Sequence, residues 1–354
     1  MSEIRVNNRA SNIELYRILV MFMILCGHYV FNSDLLSVFW GSFSTYSLFY
    51  SIFGMWGKVG INCFVLISGY FMCTSKITLR KFLKLYLEVF FYSILLYLIF
   101  VATGKVTFDL STFLLNITPF WRIESDRFVS AYLVWWMFIP FLNILVKGMN
   151  SKQHLLLIMM SVVVFTIYPL LPFAHIDVNP LCWFSTLYMV ASYLRLYPNE
   201  VPKHDSARFW GGLSMVFVIL SVVGMALTLW LNAKFGWKNS PYWLVMDSNA
   251  PLALLLGVSS FLFFKNIHLE HSSFINAVAS TTFGVLLIHA NTFVRPWLWN
   301  ETIDCAGHCD KFWYAIIACV LVFSICSFID WIRINTIEKY VFGYIDKIKN
   351  GFRS

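Results

Sequence analysis

The stretch RILVMFMILCGH, residues 17–28, sets an arginine and a histidine at the two ends of ten residues that are apolar or glycine. It lies in a longer run, near 13–31, that is long enough to cross the ~30 Å hydrocarbon core of a bilayer as a helix. At 3.6 residues per turn, eleven positions make about three turns, so Arg17 and His28 share one face, ~16 Å apart along the axis. An arginine inside a span costs about 2.5–3.5 kcal/mol on insertion scales, and such a side chain faces a bundle interior or a wet cavity. Arg17, one turn in, can also extend its head to the membrane surface. A lone histidine on an apolar helix is often only hydrogen-bonded to a neighbour. On one face, the two together outline a polar track into the membrane.

The rest of the chain agrees with a membrane reading. Its 354 residues are 59% hydrophobic, 12% charged and 19% aromatic, with a mean hydropathy of +0.70, too apolar for a water-soluble domain. Spans are expected near 13–31, 58–74, 85–103, 130–146, 154–172, 181–196, 209–231, 242–264, 274–293 and 312–332. No alternating pattern of a β-barrel is present. With the N-terminus inside, the inner loops hold roughly twice the Lys and Arg of the outer ones, which predicts N-in and C-in by the positive-inside rule. The fold expected is all-α: a polytopic membrane helical bundle of about ten transmembrane helices, a single integral membrane domain over 1–354. The first run ends in FNSD with no small-residue cleavage site, so it reads as a retained span. The net charge of +8 is spread over many short loops and forms no nucleic-acid patch, so no nucleic-acid partner is expected.

Chemistry must then use the spans and their loops. The longest outer connections are expected at 31–57, 104–128 and 295–311, where Trp, Asn, Asp and Glu can cover a sugar or form an interfacial belt. GINCFVLISGYF (60–71) ends with Ser68 and Gly69, small residues that let a helix or a ligand approach the backbone. Arg80, Lys81 and Lys84 in RKFLKLYLEVF (80–90) either fix orientation or attract a nucleotide phosphate. Glu88 is expected to pair with Arg17 or Lys84. Asp247 and Asn249 in DSNAP (247–251) are read as starting the eighth span, binding an acceptor or capping a helix. His289 in LLIHA is either a wall of the site or a buried structural histidine, and Trp136, beside Tyr132 and Trp135, is either packing or a substrate platform. Cys305 and Cys309 share an outer loop with His308, which allows a disulfide or an incomplete metal site, and no metal is expected. The sequence carries no Gly-rich phosphate loop, HExxH, GxSxG or CxxC.

Arg17, ten residues and His28 resemble the Arg/Lys-X10-His pattern of the membrane acyltransferase-3 family, and GKVGINCFVLISGYFM (57–72) resembles its second span. SAYLVWWMFIPFLN (130–143), STLYMVASYLRLYP (185–198) and TTFGVLLIHANTF (281–293) are similar in order and placement to later family segments. The basic pair is Arg80-Lys81, with Lys84 where an Arg is usual, and no Trp-Ser-Leu…Glu segment is found. Without an esterase-like domain, the chain resembles the single-domain branch. The resemblance implies transfer of an acyl group, most often acetyl, from cytoplasmic acyl-CoA to a hydroxyl of a cell-surface glycan or lipid-linked sugar. It places the chain in a bacterial cytoplasmic membrane, with acetyl-CoA as co-substrate and membrane lipid as surroundings. The spacing accommodates an extended pantetheine arm: phosphates near Arg17, Arg80, Lys81 and Lys84, flanked by Ser68 and Gly69, would lay the thioester near His28. His28 would act as general base or as transient acyl acceptor, with His289, Asp247, Asn249 and Trp136 toward the acceptor. The competing reading is a transporter of a glycan or lipid-linked sugar, which would more often show repeated halves, and none is visible.

Overall fold

The computed structural model describes residues 10–39, 43–118, 120, 127–171, 178–237, 239–245, 247–341 and 343. Among these there is helix and no strand. In chain order the helices are α1 (Ser11–Phe31), α2 (Leu35–Phe39), α3 (Thr45–Gly54), α4 (Trp56–Met72), α5 (Leu79–Ala102), α6 (Leu110–Ile117), α7 (Arg127–Gly148) and α8 (Ser151–Val162). They continue as α9 (Pro180–Leu196), α10 (Ala207–Phe235), α11 (Pro251–Asn266), α12 (Ser273–Ser280), α13 (Thr282–His289), α14 (Val294–Pro296) and α15 (Phe312–Arg333). Seven described helical stretches are long and apolar enough to cross a membrane, and an eighth if α12–α13 and the segment Val294–Thr302, bent by 90°, count as one. α9 and α11, with 17 and 16 residues, are shorter.

α1 forms the axis of the bundle, packing on α3, α4, α11, α12, α13 and α15. Side-chain to backbone hydrogen bonds fix which ends lie together. Where α1 begins, here the entry end, Asn12 Nδ2 donates to the carbonyls of Phe264, Lys265 and Ile267 at 2.9–3.1 Å, closing the last turn of α11. At the same end Asn143 Nδ2 donates to the Met72 carbonyl at 3.2 Å and the Tyr197 hydroxyl to that of Met149 at 3.0 Å. At the far end Asn62 joins three elements: its Nδ2 donates to the Ser248 carbonyl at 2.6 Å and its Oδ1 accepts from Trp183 Nε1 at 2.9 Å. Each bond satisfies a polar group that lipid could not, which is why such residues persist in apolar helices.

Several expectations are corrected. The region read as the outer connection 31–57 contains α2 and α3, and α3 runs nearly straight into α4. The eighth expected span begins only at Pro251, so Asp247 and Asn249 precede α11 in a turn closed by the Ala250 N–H on the Asp247 carbonyl at 3.0 Å. α6, expected in an outer loop, folds back along α5. The Tyr97 hydroxyl brackets Asp109, donating to its carbonyl at 3.0 Å and accepting from its N–H at 2.8 Å, and the Tyr86 hydroxyl donates to the Ile117 carbonyl at 3.0 Å. Tyr86 and Tyr97 are ~16 Å apart on α5. Phe120 then stacks 5.5 Å from Tyr86 and 6.4 Å from Phe82, near the entry end of α5. Of the basic residues used for orientation, Arg5, Arg9, Arg122, Lys238, Lys347, Lys349 and Arg353 lie outside the described residues.

Candidate active site

α1 and α4 meet backbone to backbone beside the histidine. A Cβ on Gly27 would come within 2.5 Å of the Gly57 Cα, and one on Gly60 within 2.7 Å of Ile24. Glycine is required wherever two helices approach this closely. The contact fixes His28, the residue after Gly27, at the far half of an unbroken α1 that also carries Arg17.

His28 has a partner from the other end of the sequence. Its Nδ1 lies 2.9 Å from His289 Nε2, and the rings are 5.1 Å apart at 52°. His289 is fully buried, and its Nδ1 lies 2.6 Å from the Val285 carbonyl oxygen. A carbonyl only accepts, so His289 Nδ1 carries a proton. In a neutral ring His289 Nε2 is then an acceptor, and the proton of the pair sits on His28 Nδ1. That leaves His28 Nε2 as a bare lone pair. The chain breaks at Ala290–Phe293 and turns by 90°, so His289 is the last residue of α13. The turned segment brings Trp299 edge-on to His289 at 6.4 Å and to Tyr29 at 5.7 Å. Arg295 on that segment and Lys58 on α4 are cations that act on His28 through space.

Toward the entry end the track is aromatic, then polar. Phe64 lies 5.8 Å from Phe128, 5.4 Å from Tyr132 and 6.1 Å from Phe283. Below them the Tyr132 hydroxyl and Ser68 Oγ are 3.0 Å apart, and Ser68 also donates to the Phe64 carbonyl at 2.9 Å. Arg17 is next. Its Nη1 is 3.9 Å from Glu14 Oε2, its guanidinium carbon is 6.0 Å from the Phe71 ring centre, and its charge acts on the Tyr132 hydroxyl. Its side chain is 31% exposed, enough for an anion to reach from the entry end.

The structure thus joins His28 to His289 and sets Arg17 three turns away on the same helix, with the Ser68–Tyr132 pair near Arg17. It uses other expected residues elsewhere. Gly69 faces α9, where a Cβ would lie 3.1 Å from Ala191 Cβ, so its small size serves helix packing. Arg80 and Lys81 are exposed at the start of α5, with Lys81 Nζ donating to the Lys76 carbonyl at 2.9 Å. Lys84 pairs with Glu338 at 2.5 Å. Glu88 pairs with neither Arg17 nor Lys84 but with Arg333 at 2.9 Å, because the end of α15 lies against that face of α5. Asn249 Nδ2 donates at 2.7 Å to the carbonyl of Phe165, inside the π-helical turn Val163–Ile167 that continues α8. Asp247 is exposed. Trp136 packs 5.4 Å from Phe82 at the entry end, away from the histidine pair. Cys305 and Cys309 are both free thiols. The sequence reading assigned no site role to Lys58, Arg295 or Phe283 and left Tyr132 beside Trp136 as packing or platform; Lys58, Tyr132 and Phe283 lie within the segments GKVGINCFVLISGYFM, SAYLVWWMFIPFLN and TTFGVLLIHANTF that carried the family resemblance, whereas nothing pointed to Arg295.

A family model described as an acyltransferase domain matches residues 11–331, nearly the whole chain. No curated protein and no solved structure matches.

Proposed function

Because the chain belongs to the acyltransferase-3 family of membrane acyltransferases, we propose that it moves an acetyl group from acyl-CoA to a hydroxyl of a cell-surface glycan or lipid-linked sugar. The observation that carries this reading is the histidine pair, which leaves His28 Nε2 unprotonated at the end of a path that begins at Arg17. In the proposed topology about ten segments cross a bacterial cytoplasmic membrane, with both termini and the entry end inside.

Acyl-CoA enters with its phosphates at Arg17, aided by Arg80 and Lys81, whose exposed heads suit a soluble polyanion. The pantetheine arm follows the face of α1, past Ser68, Tyr132 and Phe64, over the ~16 Å to His28. The acceptor arrives from the far end. His28 Nε2 takes the hydroxyl proton as the oxygen bonds to the thioester carbonyl carbon, whose π electrons move onto its oxygen. When the tetrahedral adduct collapses, the carbon–sulfur bond breaks and the CoA thiolate recovers the proton from His28. His289 is a positioning residue. Its acceptor Nε2 holds the His28 proton on Nδ1 and fixes the ring, as the third member of a catalytic triad orients its base. In the acyl-histidine route His28 Nε2 would attack the thioester itself and the CoA thiolate would leave.

The test is titration of detergent-purified wild type and Arg17→Ala with acetyl-CoA, following the melting midpoint, beside acetyl transfer by His28→Ala. A ligand that binds only the folded state raises the midpoint. Stabilisation of wild type, weakened in Arg17→Ala, together with folded but inactive His28→Ala, is expected. No stabilisation at saturating acetyl-CoA, or turnover by folded His28→Ala, overturns the assignment.

A further inference from the structure

Beyond Arg17, the entry end gathers further cations around the last turn of α4. Lys147 comes from the end of α7, Arg195 from the end of α9 and Lys265 from the end of α11. Arg195 Nη1 donates to the Tyr70 hydroxyl at 3.0 Å, and its guanidinium carbon lies 4.8 Å from the centre of that ring. The charge of Arg195 acts on Lys265 and, with that of Lys147, on the thiol of Cys73, the residue that follows α4. Arg17 reaches the neighbouring residue: its guanidinium carbon is 6.0 Å from the Phe71 ring, which is 5.5 Å from that of Tyr70. The two guanidiniums are therefore no further apart than these three steps in series, a separation on the scale of one nucleotide.

Little nearby neutralises this group. Among the described residues no carboxylate pairs with Arg195, Lys147 or Lys265. Asp205, the acid that acts on Lys265, is 82% exposed and pairs with His204 at 3.1 Å. The C-terminal ends of α4, α9 and α11 offer only about half a negative charge each, so positive charge is in excess. Nor do these cations sit where a bilayer headgroup would meet them. α5, α7, α8, α10 and α15 carry rows of exposed large apolar side chains, while α4 and α9 have none exposed and α11 only Leu255. Arg195 and Lys265 thus end helices of the bundle's interior, where a phosphate dissolved in water arrives.

Arg195 is exposed, and with Nη1 engaged by Tyr70 its Nε and Nη2 remain for a bidentate contact with an oxyanion. A terminal phosphate, with its charge near −2, suits an arginine and a lysine together better than a singly charged phosphodiester. Acyl-CoA carries such a group: a 3′-phosphate, one ribose away from its pyrophosphate. With the pyrophosphate at Arg17, the 3′-phosphate falls to the Arg195 side of Tyr70 and Phe71. We propose that Arg195, assisted by Lys265, binds the 3′-phosphate of acyl-CoA. The chain then selects free CoA thioesters over donors without that group, such as dephospho-CoA thioesters or a pantetheine arm borne on a carrier protein. The proposal rests on acyl-CoA being the donor and adds the feature by which that donor is told from its analogues.

The experiment is thermal titration of the detergent-purified full chain with acetyl-CoA and with its 3′-dephospho analogue, the midpoint shifts giving the two affinities. Wild type should bind acetyl-CoA at least about tenfold more tightly than the analogue. Arg195→Gln, whose amide can still donate to Tyr70, should bind the two alike, and Lys265→Gln should lose part of the difference. Arg17→Ala should weaken both by the same factor and keep the preference. Equal binding of the two by wild type, or an undiminished preference in folded Arg195→Gln, overturns the proposal and leaves acyl-CoA as donor. Binding of neither by folded wild type overturns the donor reading and this proposal with it. Phosphatidylglycerol added to the detergent tests the other source of phosphate. A midpoint rise that Arg195→Gln abolishes, with no preference between the two thioesters, would assign Arg195 to a lipid headgroup and overturn the proposal.

Discussion

Replacing His289 by leucine, close in size but without a ring nitrogen, tests the histidine pair most directly. In the wild type His28 Nδ1 faces an acceptor at 2.9 Å. In His289→Leu that proton has no partner, and an unsatisfied buried donor costs about 1–3 kcal/mol. His28 avoids the cost by moving its proton to Nε2 or by rotating, and either move withdraws the lone pair that takes the hydroxyl proton. At about 1.4 kcal/mol per tenfold in rate, the productive form falls by about 5- to 150-fold. Arg17 lies ~16 Å away, so affinity for acetyl-CoA should not change. His289→Gln, whose amide oxygen can accept from Nδ1, should recover part of the rate. The assay is single-turnover transfer of labelled acetyl groups to the glycan fraction of membranes at saturating acetyl-CoA, with the melting shift reporting donor affinity. Wild-type turnover in folded His289→Leu refutes the tautomer argument. So does a loss of donor affinity in step with the rate, because that would place His289 in donor binding.

Three further outcomes follow. Arg333→Met strands Glu88, Asp330 and Glu338 without their shared cation and should lower stability by about 3–5 kcal/mol; adding Asp330→Asn should restore part of the melting midpoint, and a midpoint indifferent to Arg333→Met would deny the network its structural role. Gly27→Ala puts a methyl 2.5 Å from the Gly57 Cα and should cost about 1–3 kcal/mol by overpacking, with a larger relative loss of transfer than Gly212→Ala, where nothing lies within 4 Å of the added carbon. Burial pushes the Cys305 thiol up to about 12, so its reactive thiolate is scarce until the pH approaches that value. Maleimide at neutral pH should spare Cys305 in folded protein and label it after denaturation, and labelling in folded protein would contradict its burial.

Much of this was legible from local pattern. Long apolar runs announced the bundle, and the eleven-residue spacing of Arg17 and His28 needed only helical geometry to share a face. His289 was visible as a candidate, but its partnership with His28, 261 positions away, was not, because a single sequence does not record which spans touch. For the same reason Glu88 was matched with nearby cations when its partner was Arg333, 245 positions away. α6 misled for a different reason: eight residues after an Asp cap are too few to read as a helix packed on a span, and the Tyr86 and Tyr97 hydroxyls reveal that the segment lies along α5. Asn249 read as a possible acceptor ligand because an exposed-looking polar patch gives no hint that a carbonyl in a π-helical turn awaits it.

The contact between Gly27 and Gly57 bears on how this chain can diversify. The histidine track is positioned there by main chain against main chain, with no side chain between that could grow, shrink or change rotamer to accommodate a new substrate. Adjustment of specificity is therefore displaced outward, to the turned segment Val294–Thr302 and the connections around α2 and α3, where side chains can vary without parting two helices. Drift in the sequence should accumulate at that rim, while α1 and α4 near their glycines stay closed even to alanine, the smallest residue with a side-chain carbon.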